Sequence, residues 1–305
     1  MQWTVKEILD WVTLKFVNEG LLSPRLDAQL LICHALCIEK IELYTDPKRP
    51  LSLKERDVLR DFVRRRLKRE PIAYILNKKH WYNLTLFVDK RVLIPRPETE
   101  VLLDFVIKQI PKQKEKTLTI LDLCTGSGCL ALALAESFKN STVVAVDNSK
   151  SALEVANMNI THYVYGDRVK LIEKDVTKES TFAFLKDEFT SFDIVVSNPP
   201  YVSESEYQEL EDDVKNYEPK EALIAKEDGL FISKTLMHFI QDYKLLSKNA
   251  LFIMELGVKQ AQKLVSSDLP SHPYTPSLGH YPRNKMFVLK DLEEKDRFLV
   301  NIISN

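Results

Sequence analysis

Cysteine is scarce in this chain, which has only four cysteines among 305 residues. They are Cys33, Cys37, Cys124 and Cys129, and no C-x-x-C pair or cysteine–histidine cluster occurs among them. This pattern supports neither a disulfide framework nor a zinc site. Since thiols stay reduced in the cytoplasm, we expect a cytoplasmic protein that holds no metal.

Long apolar runs and an excess of one charge are also missing. No apolar stretch reaches the roughly 18 residues of a membrane-spanning helix, and the first residues lack the basic and apolar segments of a secretory signal. The formal net charge is only -1. Such a chain has no general electrostatic attraction to nucleic acid. We therefore expect neither membrane insertion nor direct nucleic-acid binding.

Glycine is rare as well, with 7 residues in the whole chain. Two of them, Gly126 and Gly128, lie within three residues of each other, between an apolar run that ends at Leu123 and a helical pattern over 129–138. Glycine permits left-handed backbone and close approach of a ligand to the main chain. The loop Asp122-Leu-Cys-Thr-Gly-Ser-Gly128 is therefore a candidate cofactor-binding loop at a helix N-terminus.

Short apolar runs alternate with helical segments from about residue 118 onward. This alternation predicts an α/β fold with a doubly wound, mostly parallel sheet and helices on both faces. The predicted strands are 119–123, 142–146, 169–172, 193–196, 250–254 and a last strand at 286–289.

The part of the chain before this sheet has helical periodicity. Residues 1–75 predict a compact helical domain, and the aromatic, β-branched run 80–88 predicts a small hairpin that can turn at Asn83. We expect three regions: a helical domain over 1–75, a hairpin and linker over 76–96, and the catalytic domain over 97–305. The basic run Arg64–Arg69 is either a solvated helix face or a contact for an acidic partner.

The stretch Asn198-Pro199-Pro200-Tyr201 ends the predicted fourth strand of the sheet. Neither proline has an N–H, and each holds the preceding residue in an extended conformation. The Asn198 side-chain oxygen and a neighbouring backbone carbonyl therefore form a rigid pair of acceptors, with the Tyr201 ring beside them. Such a pocket suits a planar –NH2 group.

Acidic residues follow the second and third strands. Asp147 is placed to bind ribose hydroxyls, and Asp175 is able to accept from an adenine amino group. In a doubly wound sheet ordered 3-2-1-4-5, strands 1 and 4 are neighbours, and ligands bind at their carboxyl ends. The glycine loop and Asn198 should therefore be adjacent. Counting alone does not exclude a dinucleotide-binding loop, since Ala131 is an accepted third position of G-x-G-x-x-G/A.

These motifs resemble a class I S-adenosylmethionine-dependent methyltransferase that modifies amino groups, and N-P-P-Y occurs in both adenine N6 and protein-glutamine N5 enzymes. Other segments resemble the peptide chain release factor N5-glutamine methyltransferase family over nearly the whole length. The most discriminating part is I-P-R-P-E-T-E. The segments are Arg25–Leu31, Arg69–Leu76, Leu93–Glu100, Glu218–Leu223, Asp228–Leu230 and Glu255–Gly257 with Gln260.

The resemblance implies a seven-stranded catalytic sheet and a helical N-terminal domain that docks the release factor. The implied reaction is methylation of the glutamine in the Gly-Gly-Gln motif by direct displacement, in which Asn198 and the Pro199 carbonyl hold the amide nitrogen and no dedicated base is needed. The implied cofactor residues are Asp122, Cys124, Thr125, Gly126, Ser127, Gly128, Asp147, Asp175, Val176 and Asn198. The implied substrate-binding residues are Asn198, Pro199, Pro200 and Tyr201, the proposed catalytic set, together with Arg96, Thr99 and Glu100.

Two positions depart from the family pattern. Asn77 stands where the family usually has glycine, and Arg283-Asn-Lys-Met lacks the usual second arginine. Neither touches the loop or N-P-P-Y. We expect a monomer.

Four other functions are weighed against this one. A ribosomal-protein glutamine N5-methyltransferase shares the same core. A DNA or RNA adenine N6-methyltransferase needs a basic groove that a near-neutral chain does not supply. A non-catalytic binding module would not need the intact N-P-P-Y motif, and a nicotinamide oxidoreductase does not require it either.

Overall fold

The structure is a computed structural model that describes residues 3–110, 117–258, 260–264, 271–272 and 283–303. The chain separates into two compact units. The first combines residues Met1–Lys78 with Glu211–Tyr217, and the second combines Lys79–Leu210 with Glu218–Asn305. The inclusion of residues 211–217 in the first unit was not predicted from the sequence.

The first unit is helical, as its periodicity predicts. Two of its helices begin with a capping box, in which Thr4 pairs with Glu7 and Ser52 pairs with Glu55, so backbone amides at both ends of each motif are satisfied. The helices are α1 (Val5–Asn18), α2 (Pro24–Leu36), α3 (Glu42–Thr45), α4 (Leu53–Leu67), α5 (Ile72–Leu76) and, later in the chain, α11 (Asp212–Lys215).

The apolar faces of α1, α2 and α4 form the core of this unit, with Val12, Phe16 and Leu31 fully buried. Asn77 ends α5 with a φ of 49°, in the left-handed region. After glycine, asparagine is the residue that tolerates this conformation best. The departure from the family's glycine at this position therefore preserves the local backbone.

The basic run 64–69 is mostly engaged inside the first unit. Arg66 is 7% exposed and binds Asp27 and Asp213, with nitrogen–oxygen distances of 2.7 and 2.5 Å. Arg65 pairs with Glu70 at 2.5 Å, and Arg69 donates to the backbone oxygen of Glu19 at 2.7 Å. These arginines connect parts of the unit, so the run is neither a continuous solvated face nor a free basic patch.

The second unit contains a two-stranded hairpin and an eight-stranded sheet in the order β5-β4-β3-β6-β7-β10-β9-β8. Its strands are β1 (Lys79–Trp81), β2 (Leu84–Leu86), β3 (Leu118–Leu123), β4 (Ser141–Asp147), β5 (Val169–Glu173), β6 (Phe192–Ser197), β7 (Leu246–Glu255), β8 (Ser271–His272), β9 (Met286–Lys290) and β10 (Asp296–Ile302). Its helices are α6 (Pro97–Gln109), α7 (Cys129–Ser137), α8 (Lys150–His162), α9 (Glu179–Phe189), α10 (Glu204–Glu209), the short η1 (Lys220–Ala222), α12 (Phe231–Asp242) and α13 (Ala261–Leu264).

The first five strands of the sheet are parallel and follow the predicted order 3-2-1-4-5. Helices cover the sheet, and residues of β3, β4, β6 and β7 form a nearly fully buried core. The predicted hairpin is also present, with Trp81 opposite Leu84. The predicted α/β class is therefore confirmed.

The far edge of the sheet differs from the prediction. The strand predicted as the last is β9, and β10 follows it and inserts antiparallel between β7 and β9. Among the residues that the structure describes, the two-residue strand β8 pairs with β9 and adds an eighth strand to the predicted seven. The other seven strands account for the predicted number.

The register aligns the ends of three strands. Leu123 at the end of β3 lies opposite Val146 in β4 and Ser197 in β6. The next residues along these strands are Cys124, Asp147 and Asn198, and all three lie at the carboxyl edge of the sheet, where Asp147 is the last residue of β4. In the part of the chain that the structure describes, no helix is long and apolar enough to cross a membrane.

Candidate active site

A pocket opens at the carboxyl ends of the central strands in the second unit. Its walls come from the linker before α6, the loop after β3, the ends of β4 and β5, the end of β6 and the segment around η1. Residues that contribute include Arg91, Pro95, Thr99, Cys124, Thr125, Gly126, Ser127, Asp147, Asp175, Val176, Asn198, Pro200, Pro219 and Glu221. The predicted neighbourhood of the glycine loop and Asn198 is therefore present.

The loop after β3 depends on its two glycines. Gly126 has a φ of 54°, and a side chain there would meet no protein atom within 4 Å, so this position faces open space in the pocket. Gly128 has a φ of 79°, and a Cβ there would lie 3.2 Å from the Cβ of Ala156. The first glycine leaves room for a ligand, and the second allows α7 to pack closely on α8.

Three side chains hold this loop in place through hydrogen bonds. Asp122 accepts from the Thr125 hydroxyl at 2.6 Å, and Asp147 accepts from the Gly126 amide at 2.9 Å. Asn159, which is 2% exposed, donates to the Ser127 carbonyl at 2.9 Å. Asn159 was missed in the sequence, because a single asparagine in an amphipathic helix gives no sign of a partner 32 residues away.

Burial changes the ionisation of the groups around the loop. Burial raises the pKa of the Asp122 carboxyl to about 7, against hydrogen bonds from Thr125 and from the Ala131 amide that lower it. Burial also raises the pKa of Asp147 and raises the pKa of Cys129 to about 12. The pKa of Cys124 is raised well above its ordinary value for the same reason. Both cysteines are therefore neutral thiols, which are poor nucleophiles.

Asp175 and Val176 follow β5 and line the pocket on the far side of Asp147. Asp175 Oδ1 accepts from the backbone amide and the hydroxyl of Thr177, at 2.8 and 2.7 Å. These bonds fix the carboxylate at the pocket wall. Asp147 and Asp175 therefore line the same pocket as the glycine loop.

Asn198 is tied to residues that are distant in the chain. Its Nδ2 donates to the Thr99 hydroxyl oxygen at 3.1 Å, and the Thr99 hydroxyl donates to Glu255 Oε2 at 2.7 Å. The Tyr201 hydroxyl donates to the other oxygen of Glu255 at 3.1 Å. Because the –NH2 end of Asn198 is used in this way, its oxygen is the end that remains for a ligand.

The loop after Tyr201 has its own support. Gln260 Nε2 donates to the Tyr201 carbonyl at 2.7 Å and to the Asp228 carbonyl at 3.2 Å. The Gln260 oxygen accepts from the Gly257 amide at 2.9 Å. The family segments around residues 228, 257 and 260 thus converge on the backbone of N-P-P-Y.

The predicted site residues fall into three groups. Cys124, Thr125, Gly126, Ser127, Asp147, Asp175, Val176, Asn198, Pro200 and Thr99 line the pocket. Asp122 and Gly128 are the two ends of the loop and do not line the pocket; Asp122 accepts from the Thr125 hydroxyl, and Gly128 lets α7 pack closely on α8. Pro199, Tyr201, Arg96 and Glu100 are not part of the pocket lining.

Arg96 and Glu100 have partners within the second unit. Arg96 pairs with Glu218 at 2.7 Å, and the second oxygen of Glu218 accepts from the Ile94 amide at 3.1 Å. Glu100 accepts from the Tyr82 amide at 3.1 Å. The Arg96–Glu218 pair joins two segments that line the pocket. Arg96 follows Pro95 in one segment, and Glu218 precedes Pro219 in the other. Arg96 therefore has a structural partner, and its substrate-binding role stays a prediction.

The pocket fits S-adenosylmethionine chemically. The open space at Gly126 admits a ligand against the backbone, and the carboxylates of Asp147 and Asp175 are acceptors for hydroxyl and amino groups.

Within the described residues, no group of three or more histidine, cysteine, aspartate or glutamate side chains is arranged to hold a metal ion.

Comparisons with known proteins agree with this arrangement. The family described as "PrmC N-terminal domain" matches residues 7–76, and the "Methyltransferase small domain" family matches residues 99–215. The chain is 39% identical to a release factor glutamine methyltransferase of Rhodopirellula baltica, over 84% of each protein. It is 38% identical to a protein of the same name from Chlorobaculum tepidum, over 73% of this chain and 76% of the relative.

A solved structure shares the fold. The human METTL16 catalytic domain in complex with MAT2A 3′UTR hairpin 6 has a TM-score of 0.52 and 13% identity, and the match covers 73% of this chain and 77% of that chain. The similarity shows a class I methyltransferase fold. Family, fold and cofactor class were all predicted from the motifs, and these matches confirm them. The chain belongs to the release factor glutamine methyltransferase family and is an S-adenosylmethionine-dependent methyltransferase.

Proposed function

We propose that this protein methylates the side-chain amide nitrogen, N5, of the glutamine in the Gly-Gly-Gln motif of peptide chain release factors. The observation that carries the proposal is the fixed orientation of Asn198 at the pocket wall. Its –NH2 end binds Thr99, so its oxygen is an acceptor beside the loop that contains Gly126. An acceptor at this place is matched to a substrate that brings N–H groups.

The role of the protein in this reaction is positioning. Asn198 Oδ1 and the Pro199 carbonyl accept the two N–H groups of the substrate amide and hold its nitrogen in line for displacement. S-adenosylmethionine supplies an electrophilic methyl group. Holding the reacting atoms in one geometry and stabilising the developing charge supply most of the rate in such reactions.

The acidic residues and the loop hold the cofactor. Asp147 accepts from the ribose hydroxyls, Asp175 and Val176 bind the adenine end, and residues 124–128 contact the remainder through the backbone. The Asp147 carboxylate already accepts from the amides of Gly126 and Ser149, at 2.9 and 3.0 Å, so it is fixed before a ligand arrives. This preorganisation reduces the entropy lost on binding.

The tyrosine of the motif acts as a hydrogen-bond donor. Burial raises the pKa of Tyr201 far above its ordinary value, and Glu255 nearby raises it further. Its phenol therefore stays protonated and does not serve as a base. The methylated amide nitrogen is acidic enough to lose its proton to water, which is consistent with the absence of a dedicated base from the N-P-P-Y motif.

The remaining parts of the proposal concern the partner. The helical domain over 1–75 docks the release factor, the hairpin and linker over 76–96 connect it to the catalytic domain over 97–305, and the enzyme works as a cytoplasmic monomer without direct nucleic-acid contacts. The release factor names of the relatives support this partner.

The test is mass spectrometry of a purified release factor after incubation with this protein and S-adenosylmethionine. We expect one added methyl group on the glutamine of Gly-Gly-Gln, and no methylation of a release factor in which that glutamine is replaced by alanine. Purified ribosomal proteins and adenine-containing DNA and RNA serve as parallel substrates. Methylation of any of these without methylation of the release factor would overturn the proposed substrate.

A further inference from the structure

Glu255 is a buried carboxylate that the proposed reaction does not use directly. It ends β7 and is 1% exposed. Burial raises its pKa, while the hydroxyl donors Thr99 and Tyr201 and the positive charge of Arg297 lower it, and Glu98 raises it. A buried carboxylate is costly unless its oxygens are satisfied. The hydrogen-bond partners of Glu255 must therefore offset the cost of burying it.

The hydrogen bonds of Glu255 have a defined direction. The Thr99 hydroxyl has one proton, and it donates that proton to Glu255 Oε2 at 2.7 Å. The Thr99 oxygen is then left only as an acceptor. It can bind the –NH2 end of Asn198, which lies at 3.1 Å, but it repels the oxygen end. Glu255, whose two oxygens accept from the hydroxyls of Thr99 and Tyr201, therefore determines which end of the Asn198 amide faces Thr99.

The orientation of the Asn198 amide determines whether a hydrogen-bond acceptor or a donor faces the pocket. Asn198 lines the pocket, and a rotation of its amide by 180° would replace the acceptor that faces a ligand by a donor. A donor at this place repels the N–H groups of an amide. Thr99 lines the same pocket but is itself 2% exposed, so its hydroxyl serves the protein and not the solvent.

We propose that Glu255 and Thr99 are positioning residues that keep the Asn198 oxygen directed toward the substrate amide. They act through Asn198 and do not touch the reacting atoms. The proposal rests on the proposed function, in which Asn198 accepts a substrate N–H. It adds an origin for the orientation of Asn198. Thr99 lies in α6, 99 positions before Asn198, and Glu255 lies at the end of β7.

The kinetic test compares two substitutions at one position. Thr99→Val keeps the shape of the side chain and removes the hydroxyl, whereas Thr99→Ser keeps the hydroxyl. By analogy with groups that orient metal ligands, Thr99→Val should lower kcat by about ten- to a hundredfold. Thr99→Ser should stay near the wild type, and both variants should bind S-adenosylmethionine as the wild type does. Equal kcat values for the two variants would overturn the proposal.

A double-mutant cycle separates positioning from a general loss of structure. Thr99→Val should cost no further activity in an Asn198→Ala background, because the residue it positions is already gone. Glu255→Gln should behave in the same way, since its amide is able to donate to Thr99 and so removes the constraint on Asn198. Full additivity with Asn198→Ala would show that Thr99 and Glu255 act independently of Asn198, contrary to the proposal.

A third measurement does not depend on the substrate. In protein labelled with ¹⁵N at asparagine, the Asn198 side-chain –NH2 signals are identified by their loss in Asn198→Ala. We expect Thr99→Val to shift these signals and Thr99→Ser to leave them nearly in place; no shift in Thr99→Val sinks the positioning role. If the signals shift as expected but the wild type does not methylate the release factor, the proposed function fails and the positioning role stands.

Discussion

The two halves of the pocket are held in different ways. The loop with Gly126 and Gly128 is shaped by backbone conformation and by neighbours such as Asp122 and Thr125, which are three residues apart. The end of β6 is shaped by side chains from distant segments, and the Thr99–Glu255 bond joins residues 156 positions apart. The side-chain contacts that hold the cofactor half span at most 32 positions of the chain, whereas those that hold Asn198 in the substrate half span 99 and 156 positions.

This difference separates two kinds of failure. Damage to the loop should appear as lost cofactor affinity, while damage at the end of β6 should appear as lost turnover with cofactor bound. The four substitutions below probe that division, and a variant that affects both quantities equally would weaken it.

Asn198→Ala should have the largest effect. It removes an acceptor that matters chiefly in the transition state, so we expect kcat to fall by about a hundredfold or more, with a far smaller change in cofactor affinity. Single-turnover methylation of a release factor, together with calorimetry for S-adenosylmethionine, measures both. Wild-type turnover in this variant would remove Asn198 from the mechanism.

Gly126→Val should be the converse case. A valine at a φ of 54° is strained, and its side chain enters the pocket, so we expect cofactor affinity to fall by about a hundredfold. Gly166→Val is a matched control, because Gly166 is exposed and a Cβ there would meet no atom within 4 Å. Unchanged calorimetric affinity in a folded Gly126→Val variant would refute the role of this loop.

Asp147→Ala should weaken cofactor binding by about 1–3 kcal/mol, since it leaves buried ribose hydroxyls without an acceptor. Turnover at saturating cofactor should change little. Asp147→Asn keeps an oxygen for the Gly126 amide and should recover part of the affinity. A large loss of turnover with unchanged affinity would contradict the ribose role.

Asp122→Asn should have the smallest effect on cofactor affinity and turnover, and its effect on the stability of the fold should depend on pH. The pKa of Asp122 rises from 3.8 in the unfolded chain to about 7 in the folded protein, because burial disfavours the charge. The folded state thus binds the proton more tightly, and the contribution of this group to stability falls as the pH rises from about 4 through about 7.

Chemical denaturation at several pH values tests this expectation. As the pH rises from about 4 to about 7, the free energy of unfolding of Asp122→Asn should increase relative to that of the wild type. The opposite trend would mean that the hydrogen bonds from Thr125 and Ala131 outweigh burial.

The same division between local and distant support explains what the sequence could predict. The loop, the strand order and the position of Asn198 follow from patterns within short windows, and the structure contains all three. The strand β10 was missed because the short apolar run Phe298-Leu-Val300 is compatible with a helix or a strand until β7 and β9 are there to pair with it. The supporting roles of Asn159 and Glu255 were invisible for a related reason, since neither has a partner nearby in the chain.

The arginine at the centre of the first unit also bears on the order in which the protein is made. Arg66 is satisfied by Asp27 and by Asp213, and the Tyr217 hydroxyl donates to the Lys68 carbonyl at 2.6 Å. During synthesis, the helices up to residue 78 leave the ribosome long before Asp213 exists. Until then Arg66 lacks one of its two carboxylates, so the first unit to be synthesised completes its ion pairs only after most of the second unit has been translated.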